Sequence, residues 1–204
     1  MKLKIAAMLA AGLLAVGNSF GGTLAISLAP NQSGNGGPFV VTTSDIGAFY
    51  TFCLEIPEPI STGVVYDYFS SDAAYAGGAG GGNPDTISRG SVWLMEKYGS
   101  SIGALSVPDA AAMQLAFWML EDELAVDELN PYIAEVAAFF GSSATAKLDY
   151  VNLGNVLVLN PSLLESPRQS LIIITSRVAD AGTSLMLLGL GLGSLGLISR
   201  RFRR

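Results

Sequence analysis

Two residues stand out for the chemistry their types allow. Cys53 is the only cysteine in 204 residues, and Gln114 is the only polar residue from Ala110 to Leu120. A thiol is a nucleophile and a carboxamide is a weak electrophile. Sulfur attack on the glutamine carbonyl, with loss of ammonia, would leave an internal thioester. Such a bond is a stored acyl group awaiting an amine or a hydroxyl, and it acts once, unlike turnover through a covalent intermediate. A glutamine in an apolar helix must in any case find hydrogen-bond partners or lose free energy. The alternative is a buried free cysteine beside a hydrogen-bonded core glutamine, since free cysteines are often simply buried.

Composition excludes several other chemistries. The chain has no histidine, which removes a Cys-His nucleophile pair and the usual zinc sites. A single cysteine makes no intrachain disulfide, and in an exported protein an odd cysteine means intermolecular pairing or a reactive thiol. Residues 23–177 carry 16 acidic and five basic residues, net -11. That balance argues against nucleic acid as a partner, because binding it needs a basic surface. It favours cations or amines. The acidic run Glu121-Asp122-Glu123 lacks the alternation and glycine of a calcium loop and reads as a solvated helix end. No nucleophile–base constellation, metal set or cofactor motif is present, so the chain does not read as an enzyme.

The elements that must position Cys53 and Gln114 follow from pattern. Residues 23–29, 39–43, 47–55 and 64–69 suit strands, being rich in β-branched and aromatic residues. In the third of these, period-two alternation puts Cys53 on one face with Thr51 and Glu55, opposite Phe52 and Leu54. Thr51 and Glu55 are candidate helpers for the loss of ammonia, or equally surface strand residues. Residues 31–38 are Gly/Asn/Ser/Pro-rich and read as a turn. Residues 76–83 form a glycine-dense connection without the Lys-Ser/Thr ending of a phosphate loop.

Three helices are expected next. One lies within 86–98. A second begins at Ser106-Val107-Pro108-Asp109, a cap with proline and an acid in the first turn, and runs to about residue 122. Its apolar circumference implies deep burial. The third starts at Asn130-Pro131 and stops at Gly141. Residues 149–160 and 168–176 close the domain as strands. Trp93 and Trp118 read as core. Strands, a helical middle and strands again predict an α+β domain: a mainly β sandwich or barrel frame with helices inserted.

Both ends look like processing segments. Residues 1–22 read as a secretory signal, with Lys2 and Lys4 ahead of a short apolar run and small residues after it. Residues 178–204 form a polar motif, a Leu/Gly-rich stretch and the cluster Arg200-Arg201-Phe202-Arg203-Arg204. The stretch 181–199 is marginally long enough to span a bilayer, and the arginines would stay on the cytoplasmic side.

That tail resembles the PEP-CTERM class of sorting signals, nearest to the variant whose motif reads Val-Pro-Asp-Ser-Gly. Val178, Asp180 and Gly182 match, followed by Thr183, while Ala179 and Ala181 replace the proline and the serine. The resemblance implies an exosortase-type enzyme as partner, transient residence in the inner membrane, removal of the tail, and delivery to the cell surface or extracellular polymer matrix. An ordinary C-terminal anchor is the alternative.

The middle of the chain is similar to the Cys-Gln thioester domains of bacterial surface adhesins. Those carry an aromatic-Cys motif on a strand, then a Gln followed after a few apolar residues by Trp. Phe52-Cys53-Leu54-Glu55 and Gln114-Leu115-Ala116-Phe117-Trp118 follow that order. The resemblance implies a thioester between Cys53 and Gln114 and a surface or polymer ligand bearing nucleophiles. Closing 61 positions would stabilise the fold by roughly 4 kcal/mol if the disulfide entropy model transfers. The expected function is covalent adhesion at the cell surface or matrix. The alternative is a non-covalent matrix protein with a buried free cysteine.

Overall fold

A computed structural model describes residues 21–34, 36–75, 82–150 and 154–175. The tail and all of the expected leader except Gly21 and Gly22 lie outside the described residues. Among the described residues no helix is long and apolar enough to cross a membrane.

Four strands open the domain: β1 (Gly21–Leu28), β2 (Phe39–Thr43), β3 (Ala48–Cys53) and β4 (Val65–Ser71). The short strands β5 (Ala73–Ala74) and β6 (Asp85–Thr86) pair with each other. Helices α1 (Arg89–Tyr98), α2 (Val107–Leu120), α3 (Pro131–Phe140) and α4 (Ser143–Ala146) follow, with a 3-10 segment, Gly99–Ala104, between the first two. Strands β7 (Val156–Leu163), β8 (Ser166–Pro167) and β9 (Leu171–Ile174) complete the order.

All pairings are antiparallel. The sheet runs β4-β1-β2-β3-β9-β7-β8, and β4 also pairs with β7, from Asp67 opposite Ser162 to Ser71 opposite Val158. That pairing closes six strands into a barrel, with β8 a hairpin extension of β7. Closure leaves fewer exposed edges. The described domain is thus mainly β with a few helices, as the order of patterns predicted.

The helices sit where their capping chemistry starts and stops them. Ser106 accepts from the Asp109 amide at the head of α2, and Asn130 accepts from the amides of Tyr132 and Ile133 at the head of α3. Gly141 ends α3 with φ +87°, a left-handed conformation that costs glycine little. The expected strand at 149–160 instead begins at Val156, and Asp149 makes only an isolated bridge to Ser88.

One wall of the barrel, β3-β9-β7, is buried on both faces. Alternation sends Cys53, Leu159, Leu171 and Ile173 into the barrel interior with Leu24, Ile26, Phe39, Val41, Tyr66 and Tyr68. It sends Phe52, Val156, Val158 and Ile172 outward onto the helices, against Met113, Phe117 and Leu120. This two-sided burial explains the unbroken run Ile172-Ile173-Ile174, which one-sided strands lack. Each fully buried large side chain contributes about 1.5–3 kcal/mol. The wall thus couples the barrel to the helical layer and carries Cys53.

Candidate functional site

The register of β2 against β3 runs from Thr42 opposite Ala48 to Phe39 opposite Thr51. Continued two residues further, it would set Gly37 opposite Cys53. The Gln114 carboxamide occupies that junction. Its Oε1 accepts from the Gly37 amide at 2.7 Å and from the Cys53 amide at 3.0 Å. Its Nε2 donates to the Cys53 carbonyl at 2.8 Å. The reverse orientation of the amide would face NH2 with two N–H donors, so the partners fix which atom is oxygen. The glutamine side chain pairs with Cys53 as a neighbouring strand would.

Three elements make this arrangement. β3 presents both backbone groups of Cys53 toward α2. Helix α2 holds Gln114 on its buried face. The loop from β1 to β2 brings in Gly37, anchored by Asn31, whose Nδ2 donates to the carbonyls of Ile102 at 2.8 Å and Leu105 at 3.1 Å. The loop comes so close that only glycine fits. A Cβ at Gly36 would lie 2.8 Å from the Trp118 ring and 3.0 Å from Gln114 Cγ, and the residue has φ +135°. A Cβ at Gly37 would lie 3.0 Å from Gln114 Oε1.

The site is dry. Cys53 has no exposed surface and Gln114 is 3% exposed. Burial pushes the Cys53 thiol far above its ordinary range, and the negative charge of Glu55 adds to the rise. A hydrogen bond from the Gly37 amide works in the other direction.

The candidate helpers are occupied elsewhere. Thr51 Oγ1 donates to the carbonyl of Ile172 at 2.6 Å. Glu55 is buried and accepts from the amide of Ser170 at 2.7 Å and from its hydroxyl at 3.1 Å. Thr51 lies in β3 two residues before Cys53, and Glu55 two residues after it. The backbone donors of Gly37 and Cys53 are the groups that sequence reasoning missed. The signal for the first was the Gly36-Gly37-Pro38 segment, which reads only as a turn when its distance from Gln114 is unknown. The sorting residues Val178, Asp180, Gly182, Thr183, Arg200, Arg201, Arg203 and Arg204 lie outside the described residues.

The acidic run corrects the expectation of a solvated helix end. Glu121 and Glu123 are buried; only Asp122 is exposed. Glu121 Oε1 accepts from the Ser88 amide at 3.2 Å, the Ser88 hydroxyl at 2.8 Å and the Ser91 hydroxyl. Glu123 Oε2 accepts from the Ile56 amide at 3.1 Å. The carboxylates at the end of α2 fasten it to the start of α1 and to the segment after β3. Asp122 turns outward with φ +63° and pairs with Lys147. Desolvation pushes the Glu121 carboxyl up to about 7, against the lowering effect of its serine donors. Among the described residues, no group of three or more Cys, Asp or Glu is placed to hold a metal ion.

Chemically, two N–H groups aimed at one carbonyl oxygen polarise that carbonyl and would hold the oxyanion formed by nucleophilic attack. Comparison with protein-family models, with curated proteins and with solved structures finds no match.

Proposed function

We propose that the domain is an exported surface or matrix protein that attaches covalently through an internal thioester between Cys53 and Gln114. The observation that carries this reading is the pair of backbone N–H groups on Gln114 Oε1, in a buried junction built on the backbone of Cys53 itself. Sγ adds to Cδ, and negative charge develops on Oε1 against Gly37 N–H and Cys53 N–H. The C–N bond then breaks, and ammonia leaves carrying the thiol proton. Because burial disfavours the thiolate, the sulfur starts neutral, and the polarised carbonyl supplies the activation. An amine or hydroxyl later attacks the same carbon, an amide or ester forms, and the sulfur departs as a thiol with the nucleophile's proton. In this reading the chain is no enzyme, since each molecule reacts once.

The tail supports the export part of the proposal through its order of motif, apolar stretch and arginines, which suits processing by an exosortase-type enzyme. Peptide mapping of surface-released protein should end near Gly182. An intact Arg200–Arg204 terminus in the matrix fraction would leave a plain membrane anchor.

Intact mass tests the bond. The processed protein should be lighter than its sequence by one ammonia, and methylamine should add at Gln114, leaving the protein one methylene heavier than its sequence and freeing the Cys53 thiol. Cys53→Ala should abolish both effects. A full-mass protein whose Cys53 alkylates after denaturation at mildly acidic pH would end the covalent reading.

A second reading has its own support. Three hydrogen bonds satisfy the Gln114 carboxamide as a cross-strand clamp, and burial makes the Cys53 thiol inert. On that reading the chain is a non-covalent binding or structural protein of the extracellular matrix, and methylamine leaves it unchanged.

A further inference from the structure

The loop from β1 to β2 is tied to the first half of α2 at two separate points. At one, the buried Asn31 donates through Nδ2 to the carbonyls of Ile102 and Leu105, where the 3-10 segment ends and the Ser106 cap of α2 begins. At the other, Gly37 N–H donates to Gln114 Oε1, about two turns further along. Two bonds within the loop join these points. Ala29 N–H donates to the Pro38 carbonyl at 3.3 Å, and Gln32 Nε2 donates to the Gly36 carbonyl at 3.1 Å. The hold of Asn31 on the helix joint therefore passes to the peptide that carries the Gly37 N–H. Asn31 holds through its nitrogen alone, since its Oδ1 is buried without a partner among the described residues. Position matters here, because a hydrogen bond weakens steeply once its distance and angle leave the normal range. The second donor to Gln114, Cys53 N–H, sits in β3 beside Leu171 of β9 and does not depend on the loop.

We infer that Asn31 is the positioning residue of the Cys53–Gln114 junction: by fixing the loop on the head of α2, it sets the Gly37 N–H on the carboxamide oxygen. The geometric part stands whether or not a bond forms. The chemical consequence rests on the thioester reading, in which Sγ–Cδ forms, Cδ–Nε2 breaks and ammonia leaves with the thiol proton. There Asn31 governs one of the two N–H groups that meet the charge developing on Oε1. It touches neither reacting atom, and it acts on the rate of ammonia loss through Gly37.

Amide hydrogen exchange, read by nuclear magnetic resonance on the processed protein, tests the position. Asn31→Asp keeps the shape of the side chain but sets an acceptor against two carbonyls. Relative to Cys53 N–H, Gly37 N–H should then exchange at least about tenfold faster than in the parent, the worth of one lost hydrogen bond. Gln32→Ala, a milder change at a partly exposed residue, should act in the same direction by a smaller factor and decides the matter if Asn31→Asp does not fold. Intact mass at intervals after a synthesis pulse tests the consequence. Where the parent loses ammonia, Asn31→Asp should lose it about a hundredfold more slowly, the usual effect of removing one oxyanion donor. Unchanged Gly37 protection in the folded variants would overturn the proposal. Equal acceleration of Gly37 and Cys53 would also overturn it, because the anchor would then serve only general stability. Ammonia loss at the parent's rate with Gly37 freed would overturn the chemical part. A parent of full mass would refute the thioester instead, and the exchange result would still decide whether Asn31 positions Gly37.

Discussion

Gln114 and Glu121 lie seven residues apart on α2 and its cap, two turns along one face of the helix. Each buries a polar head group against the backbone of another element. At Gln114 the head is neutral, and it both accepts and donates, so Cys53 and Gly37 are satisfied with no ionisation. At Glu121 the head is acidic and only accepts, and it meets three donors at the start of α1. The first arrangement joins a neutral side chain to the backbone of Cys53 and Gly37 and is indifferent to pH. The second fastens two helices and carries a charge whose burial costs free energy. Similar burial and similar donors thus give a neutral clamp in the middle of the helix and an acidic one at its end. The difference lies in the head group and in what faces it.

The largest effect should come from removing the neutral head. Gln114→Ala leaves two amides and a carbonyl without their side-chain partner in a dry junction, and should cost on the order of 4 kcal/mol in urea unfolding. Gln114→Glu sharpens the comparison. A carboxylate there faces the Cys53 carbonyl with a second acceptor, so its folded pKa should rise above the unfolded value. Stability should then be lost as pH rises through that folded pKa and be regained on acidification, a dependence the parent residue lacks.

Glu121 should already behave this way. Its folded pKa, about 7, lies above the ordinary carboxylate value of 4.5. Between those two values the unfolded chain releases a proton that the folded chain keeps. Stability should therefore fall as pH rises from about 4.5 to about 7 and level off above, by on the order of 3 kcal/mol. Glu121→Gln keeps the accepting oxygen and should flatten this slope in chemical denaturation at several pH values. A slope of the same size in that variant would assign the effect to another group.

Gly36→Ala should cost about 2 kcal/mol, because its Cβ meets the Trp118 ring and the φ is unfavourable for alanine. Thermal melts would register it, and a neutral outcome would mean that the loop can withdraw from Gln114. The smallest effect belongs to Asp122→Asn. It loses an exposed pair with Lys147 but keeps a residue tolerant of positive φ, and should change stability by less than about 1 kcal/mol while leaving the Glu121 slope in place.

The sequence made one half of this comparison legible. A lone cysteine and a lone glutamine in an apolar run announce themselves, and alternation correctly separated Cys53 from Phe52. The caps at Ser106, Asn130 and Gly141 were readable because they act within a few residues. Glu121 was not readable. A carboxylate at a helix end is usually solvated, and its partners Ser88 and Ser91 lie about thirty positions away. The Gly37 donor was hidden for the same reason, since nothing local shows that a backbone amide 77 positions away meets a glutamine. Barrel closure rests on β4 meeting β7 across the whole helical insertion, and pattern gives strands without their pairing.

The doubly buried wall has a consequence for how the chain reaches this state. β3 finds β9 only after more than a hundred intervening residues are in place, with Phe52 opposite Ile172 and Cys53 opposite Leu171. Such remote pairing makes assembly slow, because the entropy of bringing the ends together is lost before any contact is gained. Until Leu171 and Ile172 arrive, neither core has its shared partition. During that interval Cys53 is an ordinary solvent-facing thiol, open to oxidants and to other chains. The order of synthesis thus leaves the most reactive atom of the molecule unprotected for longest, and a helper that shields thiols during folding would raise the yield of the native form more than one that accelerates helix formation.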